Sequence, residues 1–188
     1  MWKRHRITPR MILSDSNDFR EKRLKKTDMQ LWILFPLAIT LHNLEEAIWL
    51  PGWSQHARRF QRPVQTGEFR FAVSIITLLA YLSYFLALKF PETWFWNHLF
   101  HGFLGVMIVN TFVPHLASTI FLRRYSPGLA SGLLLLTPIN SIILTQSILS
   151  GRITLPNLLW SVLAVGLMLI SLIPLLFKLG RSISKQVE

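Results

Sequence analysis

The feature that most limits what this chain can fold into is the separation of its charges from its long apolar stretches. Nine of the twenty Lys and Arg residues lie within the first thirty positions, before the first apolar run. A helix needs about 20 mostly apolar residues to cross the roughly 30 Å hydrocarbon core of a bilayer. Five stretches of that length follow, so we predict an all-α, polytopic transmembrane helix bundle. The predicted spans are residues 31–50, 69–90, 94–122, 129–149 and 155–179.

The spacing of these stretches predicts one membrane domain, residues 31–180, between a basic head and a short tail. We expect the head, residues 1–30, to be partly disordered, and the tail to cover residues 181–188. Cytoplasmic segments are enriched in Lys and Arg, so the dense head favours a cytoplasmic N-terminus. The third span is long enough that it must tilt, kink at Pro114 or begin on the membrane surface.

Composition removes several classes of function. The chain has no cysteine, which excludes disulfides, thiolate catalysis, iron–sulfur clusters and cysteine zinc sites. A net charge of +11 would suggest nucleic acid in a soluble protein, but here basic residues flank apolar spans. We therefore predict membrane lipids as partners and no nucleic acid. The candidate headgroup-binding residues are Arg58, Arg59, Arg123 and Arg124.

The first span carries three ionisable residues, His42, Glu45 and Glu46. A charged side chain inside a membrane helix costs on the order of 3 kcal/mol, so such residues indicate a functional site. At 3.6 residues per turn all three lie on one face, within an arc of about 100°. A face of this kind suits a metal bound by imidazole and carboxylate, or a proton relay. The alternative is a carboxylate pair that reaches out to the membrane interface.

A metal site needs ligands from a second helix, and depth in the membrane favours His115. It lies in the third span at a depth similar to that of Glu46, whereas the other histidines of that span lie near its opposite end. We predict His42, Glu45, Glu46 and His115 as metal ligands, with Glu45 and Glu46 also catalytic. A structural role for His115 alone stays open. The second-shell or alternative ligands are Asn43, Asn110, His98, His101 and Asn140.

Three motifs occur in order along residues 42–128: His42-x-x-Glu45-Glu46, then His115, then Tyr125-Ser126-Pro127-Gly128. This order resembles the HXXEE family of bacterial multi-pass membrane proteins, which has a later histidine and a Tyr-x-Pro-Gly motif. His101 is the competing match for that histidine. The resemblance implies a site at the first motif, a structural role for Tyr125, Pro127 and Gly128, and a place in the bacterial cytoplasmic membrane. It implies no reaction.

Our leading hypothesis is a membrane-embedded enzyme that depends on a divalent metal, zinc or iron. Its substrate would be a lipid or another apolar molecule, and hydrolysis is the first reaction class we expect. A second hypothesis is metal-free chemistry by His42, Glu45 and Glu46, in an isomerase-type lipid enzyme or a proton-coupled carrier. A third is a non-enzymatic binding or scaffold protein whose polar cluster fixes helix packing.

Overall fold

The computed structural model describes residues 29–58 and 62–187, and all regular secondary structure among them is helical. Within these residues five helices are long and apolar enough to cross a membrane, which agrees with the predicted all-α bundle of about five spans. Residues 1–28 of the predicted basic head lie outside the described residues. The helices are α1 (Met29–Ser54), α2 (Thr66–Lys89), α3 (Trp94–Leu122), α4 (Leu129–Leu149) and α5 (Leu155–Val187).

Helix α1 continues through Pro51 and Gly52, where a stop was expected, and ends at Ser54. A proline inside a helix has no N–H for the carbonyl four residues earlier. Here that carbonyl belongs to Ala47, and it accepts a hydrogen bond from Nε of Arg70 at 3.2 Å. The carbonyl freed by Pro51 is therefore satisfied from α2, and the helix does not need to end there.

At the end of the bundle away from His42, Glu45 and Glu46, aromatic side chains form a core between α1 and α3. Trp32 and Phe100 have ring centroids 4.7 Å apart, and Phe35 meets Phe100 edge-on at 5.8 Å. All three side chains are buried. Burying such large rings stabilises the α1–α3 contact and sets the depth of α1 against α3.

Helices α3 and α5 approach closely because α3 has glycines at the crossing. A Cβ at Gly102 would lie 2.6 Å from the Ser161 carbonyl oxygen, and one at Gly105 would lie 2.2 Å from Val162. Glycine is thus required at both positions for this approach. At the other end of α5, Nε of Arg181 lies 2.8 Å from a carboxylate oxygen of Glu68, which ties α5 to the start of α2.

Helix α3 does not run straight to its end, because residues Thr111–Leu116 form a π-helical turn with non-helical dihedrals at Val113 (φ −135°, ψ 108°). Of the three predicted ways to fit the long third span, the break at Pro114 is the one observed. In a regular helix residues five apart point about 140° away from each other. A π-type turn, with its i→i+5 spacing, brings such residues to the same side. Asn110 and His115 therefore face the same site.

Candidate functional site

The centre of the candidate site is a buried group of three side chains from α1 and α3. Oε1 of Glu46 lies 2.9 Å from Nε2 of His115 and 3.6 Å from Nε2 of His42. The two imidazole rings are nearly perpendicular, with centroids 5.3 Å apart. Among the described residues this is the group of three whose ligand atoms lie within 4.8 Å of one another. We call it the His–Glu–His group.

The His–Glu–His group has suitable chemistry and spacing for a divalent metal. Zinc binds imidazole nitrogen and carboxylate oxygen at about 2.0–2.2 Å, so donors of a tetrahedral site lie about 3.4 Å apart. The two measured separations, 2.9 and 3.6 Å, lie on either side of that value. Three protein ligands with one open position is the arrangement of catalytic zinc sites. The residues present therefore fit the metal that the sequence suggested.

The side chain of Asn110 contacts both histidines of the His–Glu–His group. Its amide nitrogen lies 3.1 Å from Nε2 of His115 and 3.4 Å from Nε2 of His42. An amide N–H donates, so each of these ring nitrogens acts as the acceptor in its contact. Both histidines then present their Nε2 lone pairs toward the centre of the group. The sequence prediction that Asn110 supports the ligands agrees with this position.

Glu45, the fourth predicted ligand, does not join the group. Its carboxylate turns to the loop between α3 and α4, where it accepts hydrogen bonds from the backbone N–H groups of Gly128 at 2.9 Å and Ser131 at 3.1 Å. The hydroxyls of Tyr125 and Ser131 donate to it as well. An ionised carboxylate accepts and never donates, and these four donors within the described chain match that form. The Tyr-x-Pro-Gly motif thus encloses the first glutamate of the His-x-x-Glu-Glu motif.

Ser131 connects the two glutamates through His42. Its Oγ lies 3.2 Å from Nδ1 of His42, and the same hydroxyl donates to Glu45. Since the hydroxyl proton points to Glu45, the contact with His42 requires Nδ1–H of the imidazole to donate. The tautomer of His42 is then fixed with the lone pair on Nε2, as a metal ligand needs. Sequence reasoning missed Ser131, and nothing in the sequence indicates that the first turn of α4 faces α1.

Tyr125 lies outside the predicted membrane spans, in the same loop. Burial of its hydroxyl, and then its hydrogen bond to Glu45, raise the pKa of this phenol above its ordinary value of 10.0. A phenol that stays protonated remains a donor to Glu45 over the whole physiological pH range. Its oxygen also accepts the backbone N–H of Ala130 at 3.1 Å. Tyr125 therefore holds the start of α4 to the first motif.

Gly128 is required by both backbone and space. Its φ is +94°, a region that side chains rarely adopt. A Cβ there would lie 2.7 Å from the His115 ring and 3.0 Å from that of His42. Gly128 therefore packs its backbone directly on both histidines of the group, and buried Pro127 precedes it. This geometry gives a physical reason for the Pro-Gly pair.

The remaining predicted site residues lie elsewhere. Asn43 donates to Oγ1 of Thr77 at 2.7 Å and ties α1 to α2. Nδ1 of the buried His101 bonds the Asn97 carbonyl oxygen at 2.7 Å, and its ring packs on Trp32. The structure thus places His115, and not the competing His101, beside the first motif. The other two bond within the bundle: His98 to the Trp94 carbonyl oxygen, and Asn140 to the Leu104 carbonyl oxygen.

Three of the four candidate headgroup-binding arginines are described, and they lie at the end of the bundle nearest the site. Arg58 is exposed and donates to Oε1 of Gln55 within the turn that follows α1. Arg123, with φ +50° at the end of α3, and Arg124 are also exposed. Arg59 lies outside the described residues. Binding of lipid headgroups by these residues stays a prediction.

A cavity of about 690 Å³ opens beside the His–Glu–His group, between α1, α2, α3 and α5. Glu46, His115 and Asn110 form part of its wall, whereas Glu45 does not. Most of the other lining residues are apolar, among them Val106, Ile170 and Phe177. Its size lies within the range of about 300–1,000 Å³ that is usual for small-molecule sites.

Comparison with known proteins agrees with the motifs. Residues 33–143 match the HXXEE family, described as "Protein of unknown function with HXXEE motif". The chain is also 51% identical over 150 residues to the "Uncharacterized protein YrkK" of Bacillus subtilis (strain 168), a match that covers 80% of this chain and 95% of that protein. No solved structure matches the chain significantly. With the family match over more than half of its length, and with His42, Glu45 and Glu46 at the motif positions, the chain belongs to the HXXEE family.

Proposed function

We propose that this protein is a membrane-embedded, metal-dependent enzyme whose metal, zinc or iron, is held by His42, Glu46 and His115. One observation carries the proposal. Three buried side chains of the right chemistry converge, and two of them, Glu46 and His115, line an apolar cavity. A buried carboxylate between two imidazoles is expensive in a membrane helix unless it binds something. Glu45, which the sequence predicts as a ligand, is assigned instead to hold His42 through Ser131.

The proposed reaction is hydrolysis of a lipid or another apolar substrate. A divalent metal with an open position makes water acidic enough to react near neutral pH. Glu46 lines the cavity, so we assign the carboxylate oxygen that would not hold the metal to accept a proton from the attacking water. For a substrate with a carbonyl group, such as an ester, water adds to the carbonyl carbon and the bond to the leaving group breaks. The leaving group then takes up the proton. Asn110 and Gly128 keep the two imidazoles in place.

We also propose that the protein lies in the bacterial cytoplasmic membrane with a cytoplasmic N-terminus. The basic head and the five apolar helices support this orientation. The cysteine-free sequence makes it testable with single introduced cysteines at Arg124 and Gly151, which lie in loops at opposite ends of α4. Labelling of intact cells by a membrane-impermeant maleimide should modify Arg124→Cys and spare Gly151→Cys. The reverse pattern would invert the proposed orientation.

The test of the metal is its measurement in purified protein. The full chain is prepared without chelator, and its zinc and iron are measured by mass spectrometry beside Glu46→Gln and His115→Ala. We expect about one equivalent in the wild type and its loss in both variants. The matched control is His101→Ala, since His101 is also a buried histidine of α3 but bonds only its own helix and aromatic rings among the described residues. Folded wild-type protein that stays metal-free after reconstitution with zinc and iron would refute the proposal.

A metal-free acid–base enzyme is the second candidate, and the position of Asn110 favours it. Its amide reaches Nε2 of both histidines, so a hydrogen-bonded site can form with no ion. Glu46 would then exchange a proton with His115, at 2.9 Å. Activity on a lipid that survives complete chelation, and is lost in Glu46→Gln, would support this candidate and remove the first.

A further inference from the structure

We propose that the cavity binds a single-chain fatty acyl ester, with its acyl chain between α3 and α5 and its carbonyl end at Glu46 and His115. The ester part rests on the proposed hydrolase function. The single acyl chain rests on the shape and lining of the cavity alone. The two parts can therefore fail separately.

The polar groups of the cavity are confined to one side of it, although apolar side chains line that side as well. The polar groups belong to α1, α3 and the loop that follows α3, whereas α2 and α5 contribute only apolar side chains and a glycine. A ligand that fits both walls has one polar end and one long apolar part. The polar lining residues are Asn43, Glu46, Asn110, His115, Ser118 and Ser126.

The length of the cavity suits an acyl chain of one leaflet. Along α5 the lining runs from Val162 to Phe177, a separation of fifteen positions, or about 22 Å at 1.5 Å per residue. Along α3 the apolar end, at Val106, lies nine residues before His115, or about 13 Å. Half of a 30 Å hydrocarbon core is about 15 Å. The space beyond the His–Glu–His group is therefore close to the depth that one chain occupies in a leaflet.

The volume favours one chain over two. A water molecule takes up about 30 Å³, so the cavity of about 690 Å³ has room for roughly 23 groups of that size. A methylene group is of comparable size, and a palmitoyl chain with a glycerol head fits this number. A diacyl phospholipid has about twice as many groups and would leave one chain outside.

The cavity has an apolar entrance on the outer surface of the bundle. Its lining includes large hydrophobic side chains that keep between 51% and 69% of their surface exposed, so this part of the cavity is not closed by protein. These side chains stand on the facing edges of α3 and α5, above the close contact at Gly102 and Gly105. A lipid can enter there from the bilayer without crossing water. The entrance residues are Val109 and Val113 of α3, and Leu163, Leu167 and Ile170 of α5.

The test is photolabelling of the full chain in lipid nanodiscs after treatment with chelator. The probe is a monoacylglycerol whose palmitoyl chain carries a diazirine. We expect adducts on α3 and α5 near the entrance, and at least a tenfold loss of labelling in Gly166→Phe. Gly166 lines the cavity, and a Cβ there meets only a Val106 methyl at 3.6 Å, so the ring would project into the cavity. The matched control is Gly52→Phe, a helical glycine with no atom within 4 Å and outside the cavity.

A competition experiment tests the same site with wild-type protein alone. In detergent micelles free of phospholipid, unlabelled monoacylglycerol should displace the probe from wild-type protein, and a diacyl phospholipid with the same chains should not. Equal labelling of Gly166→Phe and Gly52→Phe, or equal competition by the diacyl lipid, would overturn the single-chain site.

Labelling of the chelator-treated protein distinguishes failure of the acyl site from failure of the metal site. Labelling that persists in protein that never binds metal would support the acyl site while the metalloenzyme fails. A metal-loaded protein that takes no label would retain the metal centre and refute the acyl site. Cleavage of the monoacylglycerol on adding back zinc or iron, absent in Glu46→Gln, would support both.

Discussion

Glu45 and Glu46 are neighbours in sequence, yet the regions around them have opposite character. Glu45 lies in a region of backbone and hydroxyl donors at the start of α4, where every contact is a hydrogen bond to its carboxylate. Glu46 faces two imidazoles and an apolar cavity, with no backbone donor among its described contacts. The comparison shows that adjacent residues of one motif have different surroundings. Under the proposed function, Glu45 organises the site and Glu46 takes part in the chemistry.

The sharpest test of this comparison is the pair Glu46→Gln and Glu45→Gln. Loss of a ligand should lower metal affinity by more than about 100-fold, the upper end of what second-shell changes cost. Glu45→Gln should lower it only about 10- to 100-fold, because His42 loses its support but no ligand is lost. Isothermal titration with zinc measures both. Equal losses in the two variants would mean that the glutamates share one role.

The second test concerns the glycine that packs on the histidines. Gly128 and Gly151 both have positive φ, but of the two only Gly128 has neighbouring atoms within 4 Å of the position that a Cβ would occupy. Both alanine variants introduce backbone strain, and Gly128→Ala adds overpacking worth about 1–3 kcal/mol. We expect its thermal unfolding midpoint to lie below that of Gly151→Ala. Identical unfolding midpoints in the two variants would show that the histidine rings can move to accept the added methyl group. The contact between Gly128 and the rings would then have no effect on stability.

Ser131→Ala should have a smaller effect on the metal. It removes the link between Glu45 and His42 but leaves the backbone N–H of Ser131 on Glu45. A loss of about tenfold in metal affinity is expected, at the lower end of second-shell effects. The control is Ser171→Ala, whose exposed hydroxyl bonds only the Leu167 carbonyl oxygen of its own helix. An unchanged affinity in Ser131→Ala would show that the serine does not set the tautomer of His42.

The smallest expected effect is a change in the pKa of Tyr125, which absorbance spectroscopy can measure. The pKa of Tyr125 is raised first by burial and then by the bond to Glu45. In Glu45→Gln the second cause disappears, because a neutral amide penalises the phenolate less than a carboxylate does. The pKa of Tyr125 should therefore fall but stay above its ordinary value. Difference absorbance against Tyr125→Phe isolates this phenol from Tyr81 and Tyr84. A pKa that rises in Glu45→Gln would contradict the observed bond.

Much of the fold was accessible from the sequence because bilayer-length apolar runs leave few alternatives to helices. The limits of α3 and the start of α4 agree with prediction, since Pro91 and the Tyr-x-Pro-Gly segment interrupt helices locally. The end of α1 does not, because a distant side chain, Arg70, supplies the donor for the carboxyl end of that helix. A contact between residues 23 positions apart has no local signal.

The sequence by itself determined that ionisable residues share a face of α1 and that His115 lies at a matching depth, because helical periodicity and rise are fixed by the backbone. Only the tertiary structure decided which glutamate meets the histidines. A π-type turn brings Asn110 and His115 to one side, and the loop before α4 takes Glu45 away from the His–Glu–His group. The cavity likewise depends on how far α3 and α5 separate beyond their glycine contact. These are packing outcomes between distant segments, and no local pattern in the chain encodes them.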